Sequence, residues 1–131
     1  RDETPFVAVI FDPARDEIIA AEGNRTREMN DPTAHAEVLA IRSACAKLGS
    51  ERLPGLDLYV TLEPCPMCAT AISFARIRRL YFGAYDPKGG GVEHGPTIFN
   101  QPTCHHAPET IGGVSETDAA VLLKVFFGSR R

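Results

Sequence analysis

The sequence predicts a single α/β domain, residues 1–131, in which helices pack on both faces of a mixed sheet of about five strands. Apolar runs rich in β-branched residues alternate along the chain with segments that carry helix start and stop signals. The 44% share of hydrophobic residues suits one core. The chain shows no internal repeat and no linker that would separate a second domain.

The first part of the chain predicts two strands and a long helix. Residues 6–11 form an apolar run that ends at the turn signal Asp12-Pro13, and a second strand follows at residues 18–21. Asp31-Pro32 is typical of a helix start and Gly49 of a helix end, so we predict a helix from about Pro32 to Leu48. Its expected apolar stripe comprises Ala34, Val38, Ile41, Cys45 and Leu48.

The middle of the chain predicts a strand, a helix and another strand. Residues 56–62 form the third apolar run, which follows a Pro-Gly turn. Either Pro64 or Pro66 can open a second helix, which we expect to reach about Arg76. Residues 77–83 form the fourth strand.

The last part of the chain is less regular. Residues 86–106 hold many of the glycines and prolines without a clear period, which predicts a long surface loop of the kind that often carries function. A short fifth strand is expected at residues 111–114. Ser115, followed three residues later by Asp118, resembles a capping box for a final helix at residues 115–127.

Charge and cysteine content narrow the class of function. The chain has 14 basic and 17 acidic residues, a formal net charge of −3, which argues against indiscriminate coating of nucleic acid. No apolar run approaches the roughly 20 residues of a membrane-spanning helix, so we expect no membrane contact. Cys65 and Cys68 lie in a Pro-Cys-Pro-Met-Cys cluster that suits a metal or a redox dithiol better than a structural disulfide. This indicates a reducing compartment, and we expect a cytoplasmic protein.

His35, Cys65 and Cys68 predict a catalytic zinc site with one ion per chain. Side chains lean toward the N-terminus of their helix, so residues at two helix starts can reach a common point. One imidazole and two thiolates are suitable ligands, and three protein ligands leave a fourth position for water, whereas structural sites are normally closed. Zinc lowers the pKa of bound water to about 7, which makes hydroxide available at neutral pH.

Glu37 is the expected proton carrier of this site. A carboxylate beside the metal, but not bound to it, can accept the water proton and return it to a ring nitrogen and a leaving amine. The sequence His-Ala-Glu, followed by Pro-Cys-Pro-Met-Cys, is the signature of zinc-dependent nucleobase deaminases. Taken singly, the same residues also fit a buried neutral histidine, a solvated glutamate and two small apolar cysteines.

Two stretches, Asn30–Glu37 and Tyr59–Cys68, resemble the tRNA-specific adenosine deaminases of the cytidine deaminase superfamily. The first stretch also resembles small-molecule guanine deaminases, so it indicates the superfamily more than the substrate. The resemblance implies a three-layer α/β/α sandwich of the cytidine deaminase type and a homodimer. It also implies conversion of the wobble adenosine of a tRNA anticodon stem-loop to inosine, with hydroxide attacking adenine C6.

The resemblance also implies a set of substrate contacts and some departures from the family pattern. By position, the implied substrate-binding residues are Asn24, Ala36, Pro64, Asp86, Lys88 and Phe127. Glu63 would lie beside the zinc cysteines. The family usually opens with a helix before its first strand, which we expect to be absent or outside this chain. Val7 replaces a common glycine, and Tyr85 replaces a frequent arginine and so removes a phosphate contact.

Two other functions remain open at this point. One is a deaminase of a free base or nucleoside, such as guanine or cytosine, which needs a closed small pocket and no basic approach surface. The other is a structural zinc module without catalysis, in which Cys104 or His106 closes the metal site with a fourth ligand.

Overall fold

A mixed sheet of five strands forms the centre of the computed structural model, which describes residues 6–115, 117 and 118. Its order is β2-β1-β3-β4-β5. The strands are β1 (Val7–Asp12), β2 (Glu17–Gly23), β3 (Asp57–Leu62), β4 (Arg79–Ala84) and β5 (Glu109–Ile111). Strand β1 runs antiparallel to β2 and β3, whereas β3, β4 and β5 are parallel. The predicted α/β class with a mixed five-stranded sheet is confirmed.

Two long helices cover one face of this sheet. The helical segments are α1 (Thr26–Met29), α2 (Ala36–Leu48), α3 (Pro66–Phe74) and a 3₁₀ turn (Ile98–Asn100). Helices α2 and α3 share the larger core cluster with Ile10, Leu58 and Phe82, all of which are fully buried. A second cluster, on the side chains that alternate with these, contains Val9, Phe11, Ile18 and Tyr59. No helix in the described residues is long and apolar enough to cross a bilayer.

Helix α2 begins four residues later than the sequence predicted. The Asp31 carboxylate does not cap the helix; its Oδ1 accepts hydrogen bonds from the Thr33 N–H (2.9 Å) and hydroxyl (2.7 Å). The Asp31 carbonyl also accepts the Ala34 N–H. Asp31 therefore closes a tight turn, and His35, with φ −71° and ψ 154°, is the last extended residue before the helix.

The predicted apolar stripe of α2 was wrong. Its buried face consists of Ala36, Leu39, Ala40 and Ala44, together with Glu37. The larger residues of the predicted stripe are only partly buried, and Leu48 is exposed. Small methyl groups spaced four residues apart allow the helix to lie close to β1 and β2. The prediction had placed the larger apolar residues on the buried face because of their size.

The remaining boundaries differ by a few residues. Helix α3 begins at Pro66, with Cys65 as its N-cap, so Pro66 and not Pro64 opens it. The helix ends before Arg76, whose φ of +62° is incompatible with helix continuation. Strand β5 lies two residues earlier than predicted, because Glu109 pairs with Arg79 and Gly113, at φ +72°, follows the strand.

The proposed final helix lies almost entirely outside the described residues. Ser115 Oγ accepts a hydrogen bond from the Asp118 N–H at 3.0 Å, as a helix cap would. Residues 116 and 119–131, which include Phe127, are not described. The polar segment after β2, which was expected to be a loop, contains the single helical turn α1.

Candidate active site

Three donor atoms converge at the starts of α2 and α3. His35 Nδ1 lies 3.6 Å from Cys65 Sγ and 3.5 Å from Cys68 Sγ, and the three atoms lie within 4.8 Å of one another. Tetrahedral zinc, with bonds of about 2.3 Å to sulfur and 2.0–2.1 Å to nitrogen, separates these donors by about 3.6 Å. The donor set therefore fits zinc in both chemistry and spacing.

The two helix starts place these donors. His35 is the N-cap of α2 and Cys65 is the N-cap of α3, and both residues have extended backbones that turn their side chains toward the space between the helices. Cys68 lies in the first turn of α3 and is fully buried. The N-terminal end of each helix dipole favours thiolates at this point.

A hydrogen bond couples the two thiols of the donor cluster. Cys65 has its pKa lowered to about 5, mainly by the hydrogen bond from the Cys68 thiol and further by the amides of Cys68 and Met67, against the effect of burial. Cys68 has its pKa raised, first because its proton is held by Cys65 and then because it is buried. The surroundings of Cys65 thus favour the thiolate form, which is the form that binds metal.

Glu37 lies in the first turn of α2, beside the donors but outside the three-residue cluster. The residue is 7% exposed. Burial raises the pKa of Glu37 above its ordinary value, and the charge of Cys65 adds to this, whereas hydrogen bonds from its own amide and from Cys68 oppose it. A raised pKa brings a carboxyl group closer to the pH at which the protein works, which suits a residue that accepts and then releases a proton.

A cavity of about 320 Å³ opens next to the donors. Its volume is within the range of about 300–1,000 Å³ that is typical of small-molecule sites. Its wall contains His35, Glu37 and Cys65 beside apolar side chains and several polar ones. The other lining residues are Phe6, Asn24, Thr26, Ala36, Val60, Leu62, Glu63, Asp86 and Gly89.

The structure places the predicted substrate residues differently. Asn24, Ala36 and Asp86 line the cavity, and their contacts with substrate stay predictions. Pro64 is buried behind the wall, and Lys88 is exposed on the loop that follows β4; neither lines the cavity. Phe127 falls outside the described residues. The cavity wall therefore contains two of the three donors, Glu37 and three of the six residues that the resemblance implies.

Glu63 is a site residue whose structural role the sequence did not indicate. Its side chain has no exposed surface, and within the described residues five N–H groups donate to its two oxygens. Burial raises the pKa of Glu63, but the Asp86 amide and the His94 ring, with further amides, bring it below the ordinary value. The one signal in the sequence was an acid directly before the Pro-Cys-Pro-Met-Cys cluster.

Cys104 and His106 do not join the donor cluster. Cys104 Sγ donates to the His106 carbonyl at 3.2 Å and lies 3.5 Å from Ser73 Oγ. The His106 ring bonds to the Ile77 carbonyl at 2.7 Å. In the described part of the chain the cluster thus has three protein donors, and the residues expected to close a structural site are engaged elsewhere.

Comparisons with known proteins agree with this site. A family model described as the cytidine and deoxycytidylate deaminase zinc-binding region matches residues 1–84, which include all three donors and Glu37. A tRNA-specific adenosine deaminase from Agrobacterium fabrum (strain C58) is 63% identical over 131 residues. That alignment covers 100% of this chain and 85% of the relative.

Solved structures give the same picture. One, from a study of A-to-I editing by tRNA:A34 deaminases at the wobble position of transfer RNA, matches with a TM-score of 0.83 and 66% identity. The match covers 86% of this chain and 85% of that one. A guanine deaminase from Nitrosomonas europaea matches with a TM-score of 0.71 and 25% identity, over 97% of this chain and 75% of that one.

Proposed function

The chain belongs to the cytidine and deoxycytidylate deaminase zinc-binding family, and within it to the tRNA-specific adenosine deaminases; on this premise we propose its reaction. It hydrolyses adenosine to inosine at the wobble position of a tRNA anticodon stem-loop. The observation that carries the chemistry is the three-donor cluster beside a cavity that also holds Glu37. The substrate follows from the relatives, which are much more similar to this chain than the guanine deaminases are.

The reaction exchanges the amine at adenine C6 for oxygen. A C–O bond to water forms, the C–N bond breaks, and ammonia leaves. His35, Cys65 and Cys68 would hold the zinc ion, which supplies Lewis acidity that makes water nucleophilic at neutral pH. Glu37 transfers the two protons of the water in turn, the first to the ring nitrogen and the second to the leaving amine, a role that suits its raised pKa.

The substrate must present its base outside the helical stack. An adenosine in an anticodon loop can flip into a small cavity at modest cost, because it is unpaired. Asn24 and Ala36 line the cavity and are proposed to bind the nucleoside, and Asp86 at its wall is proposed to meet a flanking nucleotide. The exposed Lys88 is proposed as a contact outside the cavity. Pro64 and Phe127 keep the roles that the resemblance implies as proposals.

One assay tests the substrate. The zinc-loaded protein is incubated with an anticodon stem-loop that carries a wobble adenosine and, separately, with guanine, cytosine and their nucleosides. We expect inosine from the stem-loop and no xanthine or uracil from the free compounds. A stem-loop with guanosine at the wobble position serves as the matched control and should release no ammonia. Product from free compounds alone would contradict the proposal.

We also propose that the enzyme is a cytoplasmic homodimer. The four cysteines, all in the described part of the chain, are free, and free thiols persist in reducing compartments. On the outer side of α2 and α3, Phe74 lies beside Ile41 and Ala71 in a groove whose lining also includes Arg42 and Arg76, and Phe74 is 67% exposed. Aromatic and arginine side chains are enriched at subunit interfaces, which favours this groove as the dimer contact.

Phe74→Asp is expected to convert the dimer to a monomer, because a buried unpaired charge opposes association by several kcal/mol. Sedimentation equilibrium at micromolar concentration gives the mass. Tyr85→Asp is the matched control, since Tyr85 is also exposed but lies away from this groove, and it should remain dimeric. A wild-type protein that sediments as a monomer would disprove the dimer.

A further inference from the structure

Glu63 connects the end of β3 to the loop that follows β4. The residue comes directly after β3, and its own N–H donates to the Ala84 carbonyl at the end of β4 at 2.8 Å. Its side chain is completely buried although it carries a charge. A buried carboxylate is costly unless it is fully hydrogen-bonded, and in this position the donors come from one segment.

That segment is residues 86–94, here called the wall loop. Its first residue, Asp86, donates its N–H to Glu63 Oε1 at 3.0 Å. At its far end the amides of Val92, Glu93 and His94 donate to Oε2 at 3.1, 2.9 and 3.1 Å. The His94 ring adds an Nδ1 donor to Oε1 at 2.8 Å. One carboxylate thus holds both ends of the wall loop.

The wall loop lies tightly against the site. Gly91 donates its N–H to the Pro64 carbonyl at 2.8 Å, directly before the zinc ligand Cys65. A Cβ atom on Gly90 would collide with Glu63 Oε2 and would lie 2.6 Å from the Asp86 carbonyl. Glycine at this position lets the loop backbone approach the carboxylate. Asp86, at the first anchored end, and Gly89, between the two ends, form part of the cavity wall.

We propose that Glu63 is a positioning residue for the substrate: its carboxylate fixes the wall loop so that Asp86 and Gly89 stand in place at the cavity before RNA binds. This inference rests on the proposed RNA substrate for its kinetic part. Glu63 is not one of the three donors, and both of its carboxylate oxygens accept hydrogen bonds from the wall loop. It acts through the loop, which is preorganised and does not have to be ordered at the expense of binding energy.

A loosened wall loop affects binding more than chemistry. If the loop is loose in the free enzyme, binding energy must order it both in the ground-state complex and in the transition state. KM therefore rises while kcat changes little. Glu63→Gln replaces one acceptor oxygen by an NH₂ group that faces N–H donors. We expect KM for the stem-loop to rise about tenfold to a hundredfold, the range for losing charge-assisted hydrogen bonds.

The experiment combines kinetics with hydrogen exchange on the zinc-loaded proteins. In Glu63→Gln the amides of Asp86, Val92, Glu93 and His94 should exchange faster than in wild type, with zinc still at one per chain. Gly90→Ala should reproduce both effects, because its methyl group displaces the carboxylate without changing its charge. Glu63→Asp retains the charge on a shorter side chain, so its KM should lie between those of the wild type and Glu63→Gln.

Asp57→Asn is the matched control. Asp57 is also a buried acid of β3, but it bonds to Arg78 at 2.9 and 2.6 Å at the other end of the strand. It should lower the stability of the fold and leave KM unchanged. Should Glu63→Gln fail to fold, Gly90→Ala and His94→Ala provide the same readouts.

Three results would overturn the proposal. They are an unchanged KM in both Glu63→Gln and Gly90→Ala, a loss confined to kcat or zinc content, and exchange that rises across the whole sheet as in Asp57→Asn. If the wild-type enzyme does not act on the stem-loop, the proposed function fails. The exchange data then still show whether Glu63 holds the loop.

Discussion

Replacing Glu37 by Gln is expected to lower kcat by about 10²–10⁴-fold, the range for removing a general acid–base group. Glutamine has nearly the same shape and leaves the cavity wall intact, but it cannot accept the proton of the attacking water. Because Glu37 lies outside the donor cluster, zinc content should stay at one per chain. Single-turnover deamination of the stem-loop, measured beside metal analysis of the same sample, gives both values.

Glu109→Gln provides the control for this change. Glu109 is an exposed acid on β5, paired with Arg79 at 2.9 Å on the surface. Exposed ion pairs contribute little to stability, so loss of this carboxylate should leave the fold intact. We therefore expect kcat to stay within about twofold of the wild-type value. Activity of Glu37→Gln close to that of Glu109→Gln would remove Glu37 from the reaction, whatever the metal content.

Cys68→Ala is expected to abolish both zinc binding and turnover. Cys68 is the fully buried donor, and its sulfur lies 3.5 Å from His35 Nδ1, so it joins the starts of α2 and α3. Loss of a partner that only orients a metal ligand already weakens metal binding by about 10–100-fold, so loss of one of three protein ligands should weaken zinc binding by about a hundredfold or more. Because bound metal stabilises only the folded state, the melting temperature should also fall and stop responding to added zinc.

Cys104→Ala separates this effect from the general loss of a thiol. Cys104 lies next to Ser73 and His106 and outside the donor cluster. Its replacement should leave the zinc content and the zinc-dependent rise in melting temperature unchanged. Full zinc occupancy in Cys68→Ala would mean that the ion is held by other ligands.

The sheet could be predicted from the sequence because its strands are short apolar runs between proline and glycine signals. Strand β1 lies one residue from its predicted position. The start of α2 could not be predicted, because Asp31 is a residue type that commonly caps helices. Here its carboxylate instead accepts hydrogen bonds from Thr33 in a turn. Local sequence does not reveal which of two nearby backbone groups a side chain will bond.

The convergence of His35, Cys65 and Cys68 could be predicted because all three lie at helix starts, where short-range geometry determines the direction of side chains. The role of Glu37 stays a prediction. The part that Glu63 plays could not be foreseen. Its partners lie 23 to 31 residues away, in a loop with no period to read. For Lys88 the resemblance implied a contact with a flanking nucleotide, which stays a prediction; in the turn around Asp86 the residue is exposed.

The row of alanines on α2 has a consequence for the chemistry. Ala36, Ala40 and Ala44 set how far the helix axis stands from the sheet, and the first of them lies between His35 and Glu37. The methyl groups of these alanines, up to two helical turns away, therefore determine how far the imidazole and the carboxylate extend into the cavity. Larger side chains in place of these alanines would push α2 away from the sheet. They would thereby shift the imidazole and the carboxylate in the cavity, although neither group is itself substituted.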